Sequence, residues 1–298
     1  MKSVIALLAI LLTASPASAT FSIVAIDPKT GDLGVAVASR VFGVGNHVPW
    51  AEAGVGAVAT QAAMNGGYGP RGLELLRQGL TAQQVLERLL AEDKFERVEG
   101  RQVAIIDAKG NILTGPHVAQ AMARAFESAT GELAERLYAA LKAGDDAGGD
   151  RRGRQSASIL VVRKGGGSSL NNDRLCYINV DDSTDPLLEL GRLVPLQLAW
   201  SLSGKRGPLV QQGQLDQAMA LADNLVRWAP KSGAHRIHQG FIAYLTGNKQ
   251  KALDAFRRAM ELDPNGYKTT MDGALASTAT VAYRKVMEDA AFVAQLPR

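Results

Sequence analysis

The chain has 298 residues, of which 46% are hydrophobic and 21% charged, so it has enough apolar material for one large globular domain or two smaller ones. The formal net charge is only +4 at pH 7 and the basic residues are dispersed, which argues against a nucleic-acid-binding protein. Cys176 is the only cysteine, so an internal disulfide is excluded, and its apolar neighbours predict a core residue rather than a nucleophile.

Residues 1–19 have the pattern of a secretion signal. Lys2 supplies the positive start, Val4–Leu12 is an unbroken apolar run, and Ala17-Ser18-Ala19 is a small-residue cleavage pattern. The apolar run is too short to cross a bilayer as a mature helix, and no second segment approaches that length. We therefore expect a periplasmic or secreted protein that has no membrane contact once the signal is removed.

Cleavage after Ala19 would make Thr20 the first residue. A threonine hydroxyl is almost fully protonated at neutral pH, but an α-amine has a pKa of about 8 and can accept its proton. Threonine paired with its own terminal amine is a known form of activated nucleophile. The hypothesis is a hydrolase that processing activates. Cleavage after Ala17 is the alternative, and it would leave Ser18 first and remove this arrangement.

A β-hairpin is predicted at the start of the mature chain. Thr20–Asp27 and Leu33–Ser39 are rich in β-forming residues, and the Asp, Pro and Gly residues between them favour a turn. Gly54–Gln61 is predicted as a third strand, preceded by a glycine-punctuated loop over Val41–Trp50. His47 in this loop is a candidate site residue beside the strand ends, or else a solvated histidine.

Helices and further strands follow. The glycine-rich loop Asn65–Gly69 leads into a helix, but it is not a phosphate-binding Walker loop because no Gly-Lys-Ser/Thr follows. Thr81 and Gln84 form a capping box for the next helix. The remaining predicted elements of this region are a strand over 102–107, helices over 116–128 and 132–143, a charged glycine-rich segment over 144–156, and strands over 157–162 and 175–180.

Several stretches in this order resemble the bacterial domain-of-unknown-function family 1028, which is placed in the N-terminal-nucleophile (Ntn) hydrolase superfamily. The resemblance extends over about residues 20–190. The stretches that carry it are Thr-Phe-Ser-Ile-Val-Ala at 20–25, Leu-Gly-Val-Ala-Val-Ala-Ser-Arg at 33–40, Val-Pro-Trp-Ala at 48–51, Gly-Val-Gly-Ala-Val-Ala-Thr-Gln at 54–61, Gly-Gly-Asp-Arg-Arg-Gly-Arg-Gln-Ser-Ala at 148–157 and Asn-Asp-Arg at 172–174.

The resemblance implies an α+β fold, a four-layer αββα sandwich over residues 20–190 whose first residue attacks amide or related C–N bonds. Thr20 would be the nucleophile. Backbone N–H groups near Gly66 or Gly67 are candidate oxyanion donors. The residues expected to line the site are Ser39, His47, Thr60, Gln61, Asn65, Tyr68, Asp150, Arg151, Gln155 and Ser156.

One segment departs from the family pattern. Such proteins carry a further stretch between the strand ending at Asp107 and the Gly-Asn-Ile-Leu-Thr-Gly-Pro segment at 110–116, and here the two are almost fused. A missing site loop would leave the cleft open, which favours the alternative of a non-catalytic periplasmic binding or scaffold protein.

A helical repeat is predicted in the C-terminal region, over residues 205–298. Gly213, Ala218, Trp228 and Pro230 recur as Gly247, Ala252, Leu262 and Pro264, each displaced by the tetratricopeptide period of about 34 residues. Such repeats contact a peptide or protein partner or mediate self-association, and a last helix is predicted over 274–294.

No cofactor or metal is expected. The four histidines form no zinc-ligand spacing, and no Gly-x-Ser-x-Gly element supports serine-esterase chemistry. The predicted partners are therefore a small-molecule or peptide substrate and a protein at the repeats, with a homo-oligomer as a further option.

Overall fold

The computed structural model describes residues 20–95, 98–110, 112–113, 119–150, 152–169, 172–275 and 281–297; the predicted signal peptide lies outside these ranges. The strands are β1 (Phe21–Ile26), β2 (Leu33–Ser39), β3 (Pro49–Glu52), β4 (Gly56–Ala62), β5 (Arg101–Asp107), β6 (Ile112–Leu113), β7 (Ser156–Val162) and β8 (Arg174–Val180). The helices are α1 (Tyr68–Arg77), α2 (Ala82–Glu92), α3 (Ala119–Ser128), α4 (Leu133–Asp146), α5 (Pro186–Leu202), α6 (Arg206–Gln211), α7 (Leu215–Trp228), α8 (Gly233–Leu245), α9 (Lys249–Leu262), α10 (Pro264–Leu275), α11 (Val281–Met287) and α12 (Ala290–Val293).

The strands form two antiparallel sheets, and the prediction of a mixed α and β domain followed by helices is confirmed. The first sheet has the order β1-β2-β7-β8 and the second the order β3-β4-β5-β6. The predicted hairpin is the β1–β2 pair, in which Phe21 lies opposite Ala38. β7 pairs with the other edge of β2, which places Ser39 opposite Ser156.

The two sheets pack against each other through the alternate residues of their strands. Val35 and Val37 of β2 are fully buried in one cluster with Ala57 of β4 and Ile106 of β5. Because successive strand residues point to opposite faces, the intervening Ala36 faces away from the second sheet. Burial of each valine contributes about 1.5–3 kcal/mol, so this interface is a large share of the core.

Helices cover the outer face of the first sheet. The small residues of β2 allow α4 to lie close to it: a Cβ added to Gly34 would be 2.7 Å from Leu137 Cδ1. α5 packs beside α4 and against β8. Cys176, as predicted, is a fully buried core residue of this layer.

A second pair of helices, α1 and α2, covers the outer face of β4 and β5. The predicted capping box is confirmed: Thr81 Oγ1 accepts from the Gln84 backbone N–H, and the Gln84 side chain bonds back to the Thr81 N–H.

The sheet edge opposite Thr20 contains a buried charge cluster. Arg163 donates to Asp32 and to Glu132, each at 2.7 Å, and the Asp32 side chain is 1% exposed. Burial would lower the pKa of Arg163, but its bonds to Asp32 and Glu132 outweigh burial and raise it. The cluster joins the β1–β2 turn to the end of β7 and the start of α4.

The C-terminal helices repeat with the predicted displacement. α7 and α9 each have 14 residues and start 34 positions apart, at Leu215 and Lys249. Gly213 and Gly247 have φ values of +73° and +85°, a conformation that favours glycine, so the turn before each helix requires the same residue. Trp228 at the end of α7 is buried with the core of the first sheet and donates to Glu135 of α4 at 3.1 Å.

Two elements differ from the sequence-based prediction. Residues 49–52 form β3 rather than loop, because Pro49 occupies the first position of an edge strand, where its missing N–H is tolerated. The predicted last helix over 274–294 is not continuous. The helix α11 ends at Met287, and Asp289 caps the separate helix α12. No helix within the described ranges is long and apolar enough to cross a membrane.

Candidate functional site

The ends of four strands bring polar side chains together at one edge of the two sheets. Thr20 directly precedes β1, Ser39 ends β2, Gln61 lies near the end of β4, and Gln102 lies near the start of β5. Pairing places Thr20 beside Ser39 and Gln61 opposite Gln102. The edge therefore joins a hydroxyl pair on one sheet to an amide pair on the other.

Hydrogen bonds connect these four residues across the gap between the sheets. Thr20 Oγ1 lies 2.6 Å from Ser39 Oγ. The Thr20 carbonyl accepts from Gln61 Nε2 at 2.7 Å, and the same amide group donates to Gln102 Oε1 at 3.1 Å. Gln61 Oε1 is buried and has no hydrogen-bond partner among the described residues. The Thr20 carbonyl is thus held by the Gln61 amide, whose own oxygen has no hydrogen-bond partner among the described residues.

The polarity of this edge contrasts with the interior behind it. Farther from this edge, Val24 of β1 and Val37 of β2 are apolar and pack between the sheets. Ser39 is 2% exposed, whereas Thr20, Gln61 and Gln102 are half-buried. A hydroxyl in such surroundings makes stronger electrostatic contacts than one in bulk water.

Ser156 faces the same interior row, but its hydroxyl is used by the loop that follows β2. Ser156 Oγ donates to the Val41 carbonyl at 2.5 Å and accepts from the Val44 N–H at 3.2 Å. The sequence analysis predicted that Ser156 lines the site. The structure shows it holding the 41–44 loop over the strand ends.

Asp150 and Gln155 were also predicted to line the site. In the structure both bind Arg40, the residue that follows Ser39. Asp150 accepts from the Arg40 backbone N–H at 3.1 Å and binds the Arg152 guanidinium. Burial would raise the pKa of Asp150, but the bonds from Arg152 and from the backbone outweigh it and lower the pKa. Gln155 Oε1 accepts from Arg40 at 3.0 Å. These residues anchor the glycine-rich segment to β2.

A cavity lies among Ser39, Asp150 and Gly153, with a volume of about 10 Å³. This is room for about one water molecule, so a substrate does not fit in this cavity. Arg151, the remaining predicted residue of this segment, lies outside the described residues.

Thr60, Asn65 and Tyr68 lie on the other face of β4, away from Thr20. Successive strand residues point to opposite faces, so Thr60 and Gln61 cannot both face Thr20. Thr60 Oγ1 donates to the Asn65 carbonyl at 3.4 Å, and Tyr68 donates to Asp93 at 2.5 Å. Their prediction as site-lining residues is therefore corrected.

Asp93 is the centre of that second cluster. Its carboxylate binds Arg101 at 2.8 Å and Tyr68, which together lower its pKa. Burial and the Asp93 bond raise the pKa of Tyr68 to about 12. The Gly67 N–H donates to Asn65 Oδ1 at 3.0 Å, so this candidate oxyanion donor is already bonded within its own turn.

The other residues considered from sequence do not join the site. His47 is exposed, and its imidazole has no hydrogen bond or ion pair in the part of the chain that the structure describes. Burial raises the pKa of Cys176 to about 12, so its thiol is protonated. Among the described residues, no three His, Cys, Asp or Glu side chains lie close enough to hold a metal ion.

Gln102 is the site residue that the sequence analysis missed. It was read only as the start of a strand, and its position opposite Gln61 depends on the register between two strands about 40 residues apart. The available signal was a glutamine near the end of each of two strands, β4 and β5.

Comparisons with known proteins bear on this part of the chain. A model described as a family of unknown function (DUF1028) matches residues 20–111 and 108–190, and a tetratricopeptide-repeat model matches residues 237–265. The chain is similar to the crystal structure of protein SPO2555 from Silicibacter pomeroyi, of the DUF1028 family model. The identity is 27% and the TM-score 0.52, over 59% of this chain and 88% of that chain. No curated protein matches.

Proposed function

Because the chain belongs to the DUF1028 family, whose function is unknown, we propose a function from the site itself: an exported hydrolase of amide or other C–N bonds. Its nucleophile is Thr20, which becomes the first residue when residues 1–19 are removed. The observation that carries the proposal is the 2.6 Å contact of Thr20 Oγ1 with Ser39 Oγ at the edge of two packed sheets.

The proposed fold class is the four-layer αββα sandwich of the Ntn hydrolases. What supports it is the packing of two antiparallel sheets on each other, with α4 and α5 outside one and α1 and α2 outside the other. The proposed location is the periplasm or the cell exterior, because the signal pattern of residues 1–19 ends directly before Thr20.

The reaction follows from the two groups on Thr20. Oγ1 attacks the substrate carbonyl carbon while its proton passes to the free α-amine, whose pKa of about 8 leaves a useful unprotonated fraction at neutral pH. The C–N bond then breaks, and the ammonium returns a proton to the leaving amine. Water hydrolyses the resulting ester of Thr20, with the α-amine again accepting the proton, and releases the acid.

The neighbouring residues hold this geometry. Ser39 fixes the Thr20 hydroxyl and is placed to relay its proton, and Gln61 fixes the Thr20 carbonyl at 2.7 Å. Gln102 accepts from Gln61 through its oxygen, which leaves its amide N–H groups to donate to a substrate carbonyl. One donor of this kind is worth about 3 kcal/mol in a transition state.

The test is hydrolysis of a panel of amides by the processed protein and by three altered forms. Thr20→Ala should lower the rate to background, whereas Thr20→Ser, which keeps a hydroxyl and an α-amine, should retain measurable activity. A form with one extra residue ahead of Thr20 should be inactive, because the amine becomes an amide. Equal rates for wild type and Thr20→Ala would end the proposal.

The alternative is a binding protein without catalysis. The short connection between Asp107 and the 110–116 segment favours it, since a missing site loop would leave the cleft open for binding without catalysis. Such a protein would bind the same amides in wild-type and Thr20→Ala forms and release no product.

For the helical region we propose binding of a protein or peptide partner. The support is the tetratricopeptide match over residues 237–265 together with the repeated α7 and α9.

A further inference from the structure

A cavity with a volume of about 390 Å³ lies in the helical repeat, at the junction of α8 and α9. This volume is within the range of ligand sites in proteins, which is about 300–1,000 Å³. Apart from Ala255 its walls are polar, and the polar residues are Arg236, Gln239, Asn248, Gln250, Lys251 and Asp254. Walls of this kind suit a polar ligand.

Arg236 is a wall residue whose charge is not neutralised by the chain. Its guanidinium has no ion pair with a carboxylate among the described residues, whereas Arg227 and Arg258 of the same region pair with Glu135 and Glu261. Burial and the nearby charge of Arg258 lower the pKa of Arg236. A bound anion would supply the missing counter-charge.

One edge of this guanidinium also lacks hydrogen-bond partners. Nη1 donates to Gln239 Oε1 at 3.4 Å, but Nε is buried and has no partner in the described part of the chain, and the same holds for the bonding of Nη2. The Nε and Nη2 groups present two parallel N–H donors, which is the arrangement that binds both oxygens of a carboxylate. Because Nε is buried, the side chain must turn toward the cavity, and the long bond to Gln239 is weak enough to allow this.

The other charges at the cavity favour a carboxylate over a phosphate group. Lys251 is paired with Asp223 at 2.8 Å, and Asp254 is paired with Arg257 at 3.4 Å, so one unpaired positive charge remains, at Arg236. A carboxylate balances this charge. A phosphate group, with a charge of about −1.5 to −2, would leave excess negative charge beside Asp254.

Two exposed side chains of the cavity each retain a group that can bind a peptide backbone. Asn248 Oδ1 accepts from the Lys251 backbone N–H at 3.0 Å, which leaves the Asn248 Nδ2 group to donate to a peptide carbonyl. Gln250 Nε2 donates to Asp254 at 3.0 Å, which leaves the Gln250 Oε1 atom to accept a peptide N–H. The cavity therefore offers a backbone donor and a backbone acceptor on the same wall as a cation.

We infer that this cavity binds an acidic peptide segment of a partner protein, with a side-chain carboxylate on Arg236 and the peptide backbone on Asn248 and Gln250. The inference rests on the proposed partner binding by the helical region, since it names the chemistry of that partner. Hydrogen bonds to charged groups of this kind should contribute about 10- to 100-fold in affinity.

The experiment follows the Arg236 Nε–H resonance of the isotopically labelled, processed protein during titration with blocked peptides at millimolar concentration. The probes are acetyl-Gly-Ser-Glu-Ser-Gly-amide and the same peptide with glutamine or phosphoserine in place of glutamate. The glutamate peptide should shift the resonance, and the glutamine peptide should not.

Arg236→Lys is the informative variant, because it keeps the charge and removes the Nε–Nη2 edge. It should bind the glutamate peptide about 10- to 100-fold more weakly than wild type. The matched control is Arg258→Lys, which makes the same change at an exposed arginine paired with Glu261 and should bind like wild type. Backbone resonances of the same samples check that both variants are folded.

Failure of this inference and failure of the proposed partner binding give different results. Equal binding of the glutamate and glutamine peptides, equal binding by wild type and Arg236→Lys, or tighter binding of the phosphoserine peptide would each overturn the inference. If the glutamine peptide still shifts resonances of α7–α9, peptide binding by the helical region stands without this site. If none of the peptides shifts any resonance of the helical region, both proposals fail.

Discussion

Gln61→Leu should separate the positioning of Thr20, the proposed nucleophile, from the stability of the fold. The substitution removes two hydrogen bonds, at 2.7 Å to the Thr20 carbonyl and at 3.1 Å to Gln102, and replaces the amide with an apolar side chain of similar volume. At about 1 kcal/mol each, the free energy of unfolding should fall by about 2 kcal/mol. For a protein of this size the melting temperature should then fall by about 3–4 °C.

The expected effect on activity is larger than the effect on stability. Thr20 loses the bond that fixes its carbonyl, and a misplacement of about 1 Å at a reacting group can lower the rate about 100-fold. Calorimetric melting and amide hydrolysis measure the two effects on the same samples.

Tyr68→Phe is the matched control. It removes a hydrogen bond to the Asp93 carboxylate on the other face of the second sheet, so we expect a comparable stability loss of about 2 kcal/mol. Its hydrolysis rate at 25 °C should equal that of wild type. Full activity in Gln61→Leu, or a large loss in Tyr68→Phe, would refute the assignment of the site to the gap between the sheets.

Three further predictions concern stability. Arg163→Met removes the partner of the buried Asp32 carboxylate and should lower the free energy of unfolding in urea by about 3–5 kcal/mol, whereas Arg77→Ala at an exposed ion pair should change it by about 1 kcal/mol or less. The pKa of Asp150 is lowered in the fold, so the unfolded chain binds more protons in acid; the Asp150 contribution is present above about pH 4 and is lost as the pH falls through the folded pKa. The stability gap between wild type and Asp150→Asn should therefore narrow below about pH 4, and a constant gap would contradict this. Trp228→Ala should cost about 3–5 kcal/mol in the same assay, because the buried ring joins α7 to the core of the first sheet, and a loss below 1 kcal/mol would show that this contact is weak.

Much of the sheet domain could be predicted because its signals are local. The β1–β2 hairpin depends on turn residues beside two β-forming runs, and it alone brings Thr20 next to Ser39. The capping box at Thr81 depends on two side chains three residues apart. The family resemblance read from the motifs is also confirmed.

The rest of the site depends on non-local geometry. Thr60 and Gln61 were predicted to line the site together, but alternation allows only one of them to face Thr20, and only the position of α1 and α2 decides which. Gln102 is brought to Gln61 by strand register across about 40 residues. Asp150 was predicted to line the site, yet besides Arg152 it binds the backbone N–H of Arg40, a contact across 110 residues that no spacing in the sequence reveals.

Mass spectrometry of the exported protein, rapidly quenched in acid during turnover of an amide substrate, tests the nucleophile most directly. We predict that the N-terminal peptide begins at an unblocked Thr20 and carries the acyl group as an ester on its hydroxyl. A mature chain that begins at Ser18, or an acyl group attached to any other residue, would contradict the assignment of Thr20 as the nucleophile.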